Sequence, residues 1–134
     1  CLQADGTKLP FADNEFTIAY SNAVIEHVGT LEAQLAFLKE LARVSQRGYL
    51  TTPNRHFPIE VHTRVPLLHL ILPKPFFDTF LRLIGKSWAT GDYMSLLSKQ
   101  DLMPLITLPA LPNPILTPHR FCGFIMTYTL TWSK

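Results

Sequence analysis

The stretch Ala4-Asp5-Gly6-Thr7-Lys8-Leu9-Pro10-Phe11-Ala12-Asp13-Asn14-Glu15-Phe16 decides how the rest of the chain is read. The residues before it, Cys1-Leu2-Gln3-Ala4, lean apolar and stop at Asp5-Gly6, a pair that favours a turn, so residues 1–4 are predicted to be a strand with its exit at Asp5. On the other side, Glu15-Phe16-Thr17-Ile18-Ala19-Tyr20-Ser21 is rich in β-branched and aromatic residues and predicts a second strand over 15–21. It ends at Ser21-Asn22.

Working outward, residues 30–46 predict a helix. Thr30 is its expected N-cap, and Glu32 falls in the first turn, where the helix dipole favours a negative charge. Leu31, Leu35, Leu38 and Leu41 or Ala42 recur at helical spacing and make an apolar stripe. Lys39, Glu40, Arg43 and Gln46 cover the remaining face, and Arg47-Gly48 reads as the stop. Gly48–Thr52 predicts a third strand, ended by Pro53-Asn54. Residues 98–108 predict a short helix opened by Ser98, with Leu102, Leu105 and Ile106 inward. Phe121 to Trp132 alternates and reads as one long strand. Strands alternating with a helix argue for an α/β fold with parallel early strands and an antiparallel last strand.

Composition limits the function classes. Of 134 residues, 47% are hydrophobic and 16% charged, which is globular and not disordered. Twelve Lys and Arg against ten Asp and Glu leave a formal charge of +2, too weak and scattered to argue for nucleic acid. Cys1 and Cys122 give no metal spacing and no disulfide framework, so a reducing, cytoplasmic setting is the simpler expectation. Ten of the eleven prolines fall between Pro53 and Pro118. Five of them, Pro53, Pro58, Pro66, Pro73 and Pro75, break residues 53–97 into an apolar, Pro-rich insertion. Its segment 65–85 also carries Lys74, Asp78 and Arg82, so no transmembrane span is expected there, though contact with a membrane surface stays open.

The opening stretch resembles class I S-adenosylmethionine-dependent methyltransferases, of the type 11 kind. Four segments carry the resemblance, in order and with the right spacing. They are the acidic residue Asp5 followed by Leu9-Pro10-Phe11 and Asp13; Ser21-Asn22-Ala23-Val24-Ile25-Glu26-His27-Val28; the helix 30–46 with its Arg43-Val44 close; and the tail, Ser98–Leu102 with Arg120-Phe121 and Gly123-Phe124. Thr17 departs from the family, which usually has Asp there. The family's Gly-rich loop and its ribose-holding acidic residue have no counterpart here and are expected upstream of Cys1. The resemblance thus implies that residues 1–134 are the C-terminal half of one methyltransferase domain, a partial Rossmann-like sheet with its first strands missing. The implied activity is methyl transfer to a small-molecule or lipid-like acceptor, with S-adenosyl-L-methionine as cofactor and weak binding by this half alone. The rival reading is a degenerate half serving as a protein- or membrane-surface interaction module.

Residue roles follow partly from chemistry and partly from that likeness. Adenine offers an amino donor and a ring-nitrogen acceptor, which a carboxylate and a following backbone N–H complement. Ala4, Asp5 and Gly6 supply them in the family reading, against a plain Asp-Gly turn. Phe11 walls the adenine or joins the core. Ser21 and Asn22 end a strand where open α/β sheets bind ligands, and are expected at the amino-acid end of the cofactor. His27 is a candidate base, or a packed histidine. In Asn54-Arg55-His56-Phe57-Pro58-Ile59-Glu60-Val61-His62-Thr63-Arg64, Glu60 or His62 is a candidate base, while Asn54 and Arg64 are candidate acceptor contacts, Arg64 for an anion. The alternatives are a solvated loop or a metal site of His56, Glu60 and His62. That spacing matches no zinc pattern, so no metal is expected.

Overall fold

The computed structural model describes residues 2–91, 95–107 and 111–134. Its elements are β1 (Phe16–Asn22), α1 (Leu31–Val44), β2 (Ser45–Pro53), α2 (Leu68–Ile71), α3 (Lys74–Leu83), α4 (Lys99–Ile106), β3 (Ile115–Phe121) and β4 (Phe124–Ser133). They build one four-stranded sheet in the order β1-β2-β4-β3. β1 and β2 are parallel, joined by α1 as crossover, while β4 is antiparallel to both β2 and β3. The α/β class and the antiparallel last strand are therefore as expected.

Residues 2–4 belong to no strand, which corrects the first predicted element; a short apolar run does not form a strand without a pairing partner. The long terminal strand is present as β4, starting at Phe124 rather than Phe121, and the sequence reading missed its hairpin partner β3. Cys122 (φ 49°) and Gly123 (φ 84°) both have positive φ, as a two-residue hairpin turn requires, and the chain folds back so that Phe121 faces Phe124.

The α1 cap is as predicted: Thr30 Oγ1 accepts from the Ala33 N–H. The helix ends sooner than Arg47-Gly48. Ser45 turns extended and begins the pairing of β2 with β1, and its hydroxyl donates to the Leu41 carbonyl. The buried face is Gln34, Phe37, Leu38 and Ala42, with Leu31 exposed, so the core stripe is rotated from the predicted one. Gly48 serves packing rather than helix termination. A Cβ there would lie 1.9 Å from Trp132 Cζ2, because the indole of β4 lies over it.

Glu40 and Arg43, read as solvated face, instead tie the incoming chain to α1. Arg43 donates to the Leu9 and Phe11 carbonyls and to Asp13 Oδ1, and is paired with Glu40 at 2.9 Å. Glu40 Oε2 also accepts from the Leu9 N–H. The core joins Leu38 and Ala42 of α1 to Leu50, Leu130 and Trp132 of the sheet and to Leu102 and Leu105 of α4. Ser98 and Asp101 close a capping box on α4 as the predicted N-cap requires. A second small core holds the insertion together through Val65, Phe77, Leu81 and Ala89.

Candidate functional site

β1 and β2 run side by side and end together, with Asn22 opposite Thr51. Each is followed at its carboxyl end by a loop that carries ionisable residues. The loop after β1 tightens at once into a 3-10 turn, Ile25–His27, and the loop after β2 holds residues 54–67. Adjacent parallel strands place two such loops face to face, and there the sheet makes its site.

The two loops meet at His62. Its Nδ1–H donates to Glu60 Oε1 (2.9 Å), and its Nε2 faces Glu26 Oε1 at 3.6 Å, an ion-pair distance rather than a hydrogen bond. The rings of His27 and His62 stand edge to face, centroids 5.1 Å apart. Glu26 is fully buried; its Oε2 accepts from Thr52 Oγ1, and its Oε1 has no hydrogen-bond partner among the described residues. Glu60 is buried too and also accepts from the Thr63 hydroxyl and from the backbone N–H groups of His62 and Thr63.

The electrostatics follow. Burial works against an ionised Glu60, but the hydrogen bonds from His62 and Thr63 outweigh it and lower its carboxyl to about 2. The flanking carboxylates of Glu26 and Glu60 outweigh the burial of His62 and raise its imidazole to about 9. At neutral pH His62 is an imidazolium between the ionised Glu60 and the side chain of Glu26.

The other expected residues lie as follows. Ser21 is buried at the end of β1, and its hydroxyl has no hydrogen-bond partner in the structure. Asn22 Oδ1 accepts from Thr51 Oγ1. Asp5 is exposed in a turn, its Oδ1 accepting from the backbone and hydroxyl of Thr7, which lowers its carboxyl. Gly6 lies against Phe37: a Cβ there would come within 2.7 Å of the ring. Ala4 precedes this turn and is exposed. Asn54 is engaged at both ends of its amide, donating to the Ile125 carbonyl and accepting from the His56 N–H, so it anchors the loop to β4. Arg64 is exposed at positive φ (58°).

Glu26 was missed as a site residue. The available signal was its place beside His27, just after a strand's carboxyl end. With Thr52 it reaches the cluster only because β1 and β2 are neighbours. No metal was expected, and the disfavoured grouping of His56, Glu60 and His62 is not what the fold assembles. The His/carboxylate group with metal-ligand proximity among the described residues is Glu26, His27 and His62.

Next to this cluster, sharing Glu60, lies a cavity of about 280 Å³ within the insertion. Leu70, Leu72 and Phe77 give it an apolar wall, and Arg55, His56 and His69 a polar one. Both ring nitrogens of His69 are buried without a hydrogen-bond partner among the described residues.

Residues 1–51 match the family model described as a methyltransferase domain. The fold is that of the class I methyltransferases. Among similar solved structures, a SAM-dependent methyltransferase from Methanosarcina mazei superposes with TM-score 0.57 at 16% identity over 98% of this chain. A possible exported protein from Bordetella parapertussis gives TM-score 0.61 at 13% identity over 98%. Magnesium protoporphyrin IX methyltransferase from Synechocystis PCC 6803, with bound SAH, gives 0.51 at 14% over 99%. The chain spans 65%, 42% and 50% of those three chains, respectively. No curated protein matches the sequence. In this methyltransferase-like fold, the family-model match covers β1, α1 and most of β2, including Glu26 and His27; the loop with Glu60 and His62 lies beyond it.

Proposed function

We propose that this chain forms the acceptor side of an S-adenosyl-L-methionine-dependent methyltransferase for a small-molecule or lipid-like acceptor. One observation carries the reading: in a fold shared with methyltransferases, the loops after two adjacent parallel strands converge on the Glu26, His27, Glu60 and His62 cluster, beside a half-apolar cavity. The cofactor, when bound, supplies a methyl group on a positively charged sulfur. Ala4, Asp5 and Gly6 are assigned to its adenine and Ser21 with Asn22 to its amino-acid end. The fit rests on the partnerless buried Ser21 hydroxyl and on the Asp5 carboxylate kept ionised in its turn.

Methyl displacement needs positioning first, and a base only where the acceptor must lose a proton. Glu60 is too acidic to take a proton at neutral pH, and His62 already holds one. Glu60 is therefore assigned to orienting His62, and His27 to receiving the proton. The cavity takes the apolar body of the acceptor, and Arg64 meets an anionic group at the rim. Asn54, with its amide engaged, shapes the loop.

The test is transfer of tritium from methyl-labelled S-adenosylmethionine to amphipathic hydroxyl and amine acceptors. In protein extended upstream to include the cofactor-gripping half that the resemblance implies, transfer should occur and fall about a hundredfold in His27→Ala with circular dichroism unchanged, whereas the 134-residue chain alone should be inactive. Equal transfer in the variant removes the base assignment. No transfer to any acceptor, by protein that binds the cofactor, removes the enzymatic reading.

A second reading is supported by α3. Its Phe77 and Leu81 face inward, while Phe76 (67% exposed) and Leu83 (81% exposed) face out beside Lys74 and Arg82. No helix among the described residues is long and apolar enough to cross a membrane. An exposed apolar face flanked by cations suits the surface of an anionic bilayer, from which a lipid-like acceptor would be drawn. Co-sedimentation with anionic vesicles, lost in Phe76→Ser/Leu83→Ser, tests it.

A further inference from the structure

We propose that Glu26, His27 and His62 form a binding site for a divalent transition-metal ion of the zinc class. One ligand atom from each lies within 4.8 Å of the other two. Glu26 Oε1 and His62 Nε2 stand 3.6 Å apart, too far for a hydrogen bond. Two ligands each about 2.0–2.1 Å from a tetrahedral ion stand roughly 3.4 Å apart, so this spacing suits a shared ion with little movement.

A second, independent observation points to a ligand. Glu26 is fully buried, and among the described residues its Oε1 has no hydrogen-bond partner, only the His62 ring at 3.6 Å. A buried carboxylate oxygen with an ion pair at 3.6 Å but no hydrogen bond is incompletely compensated, and a cation bound directly to that oxygen offsets the remaining cost. The surroundings also match what metal sites require beyond their ligands. Glu60 Oε1 accepts from His62 Nδ1–H, which fixes the ring with its Nε2 turned toward Glu26. Thr52 Oγ1 holds the other oxygen of Glu26 at 3.1 Å.

Two imidazoles and one carboxylate select zinc-class ions over calcium or magnesium, which prefer oxygen alone. Three protein ligands leave one position for water or for an acceptor heteroatom. Binding displaces the proton from His62 Nε2 to solvent. With the ion in place His27 is a ligand, so the base assignment above describes the ion-free site. The inference stands on the cluster's geometry and does not depend on methyl transfer.

The test uses the 134-residue chain, stripped of metal and titrated with Co²⁺ and then Zn²⁺. One equivalent of Co²⁺ should bind with visible d–d absorption and without sulfur charge-transfer bands, which excludes Cys1 and Cys122 as ligands, and Zn²⁺ should displace it. His62→Ala and Glu26→Gln should each abolish the stoichiometric signal. Glu60→Gln should weaken binding about tenfold to a hundredfold. His119→Ala, on β3 and hydrogen-bonded to Thr129, should leave affinity unchanged. X-ray absorption of the Zn²⁺-loaded wild type, which does not depend on any variant folding, should show a nitrogen/oxygen shell with imidazole scattering. A folded wild type that binds no stoichiometric ion, a sulfur shell, or affinity unaffected by His62→Ala and Glu26→Gln would overturn the proposal.

Discussion

Glu60 Oε1 accepts the Nδ1 proton of His62 at 2.9 Å, and this one hydrogen bond sets the direction of the ring that joins the loop after β2 to the loop after β1. Breaking it should loosen the loop as well as the cluster. Glu60→Gln replaces a buried acceptor of four hydrogen bonds with a group that has only one acceptor oxygen. The expected loss is about 2 kcal/mol in urea unfolding, from charge-assisted hydrogen bonds. An unchanged midpoint would mean the loop is held by its apolar contacts alone.

Arg43 binds the Leu9 and Phe11 carbonyls and two carboxylates. Lysine keeps the charge but lacks the fork geometry. Arg43→Lys should therefore lower the melting temperature and raise protease sensitivity at residues 7–13 before the rest of the chain. Uniform protection would contradict the assigned anchoring.

The same anchor gives a pH dependence. Its hydrogen bonds from Arg43, the largest effect, lower the carboxyl of Glu40 from its ordinary 4.5. A lowered folded-state value means the stabilisation is present above the unfolded value, near 4.5, and is lost as pH falls through the folded one. The stability difference between wild type and Glu40→Gln should thus shrink on acidification below about 4.5 and stay level from pH 5 to 8. A difference that grows as the pH falls would have the wrong sign.

Those anchors show where the sequence was legible. Thr30 and Ser98 were readable as caps because capping is a local contact between residues three apart. β1 and β2 were readable from β-branched and aromatic runs of the right length. Arg43 was not, because its partners lie about 30 residues upstream and on a helix surface it looks like any solvated charge. Residues 2–4 misled because strand character depends on a partner strand. Within the cluster, His27, Glu60 and His62 were candidates from their positions after strand ends, but Glu26 joins them only through the β1–β2 pairing. Asn54 was expected as an acceptor contact, and its amide is engaged with the Ile125 carbonyl and the His56 N–H, partners that only the position of β4 reveals.

Gly48 is required by the Trp132 ring, which leaves no room for a Cβ. Gly48→Ala must push the indole or the strand aside. The expected cost is about 1–3 kcal/mol, with a changed Trp132 fluorescence. Wild-type stability in this variant would contradict the packing of β4 on β2.

β1 lies at the edge of the sheet, with Ile18 60% and Tyr20 68% exposed. An open, apolar edge strand recruits further strands. The chain should self-associate with rising concentration in sedimentation velocity, and Ile18→Lys should reduce this. A monomer at all concentrations would mean the edge is protected.

The central claim, a cofactor edge formed by the turn at 4–6 and the end of β1, is tested most directly by heteronuclear NMR of the ¹⁵N-labelled chain titrated with S-adenosylhomocysteine to millimolar concentration. This detects even weak binding. The account predicts saturable amide shifts concentrated at Ala4, Asp5, Gly6, Ser21 and Asn22, with the hairpin of β3 and β4 unmoved. A folded chain whose amides at these positions do not move at saturating ligand, or whose shifts gather elsewhere, would contradict it.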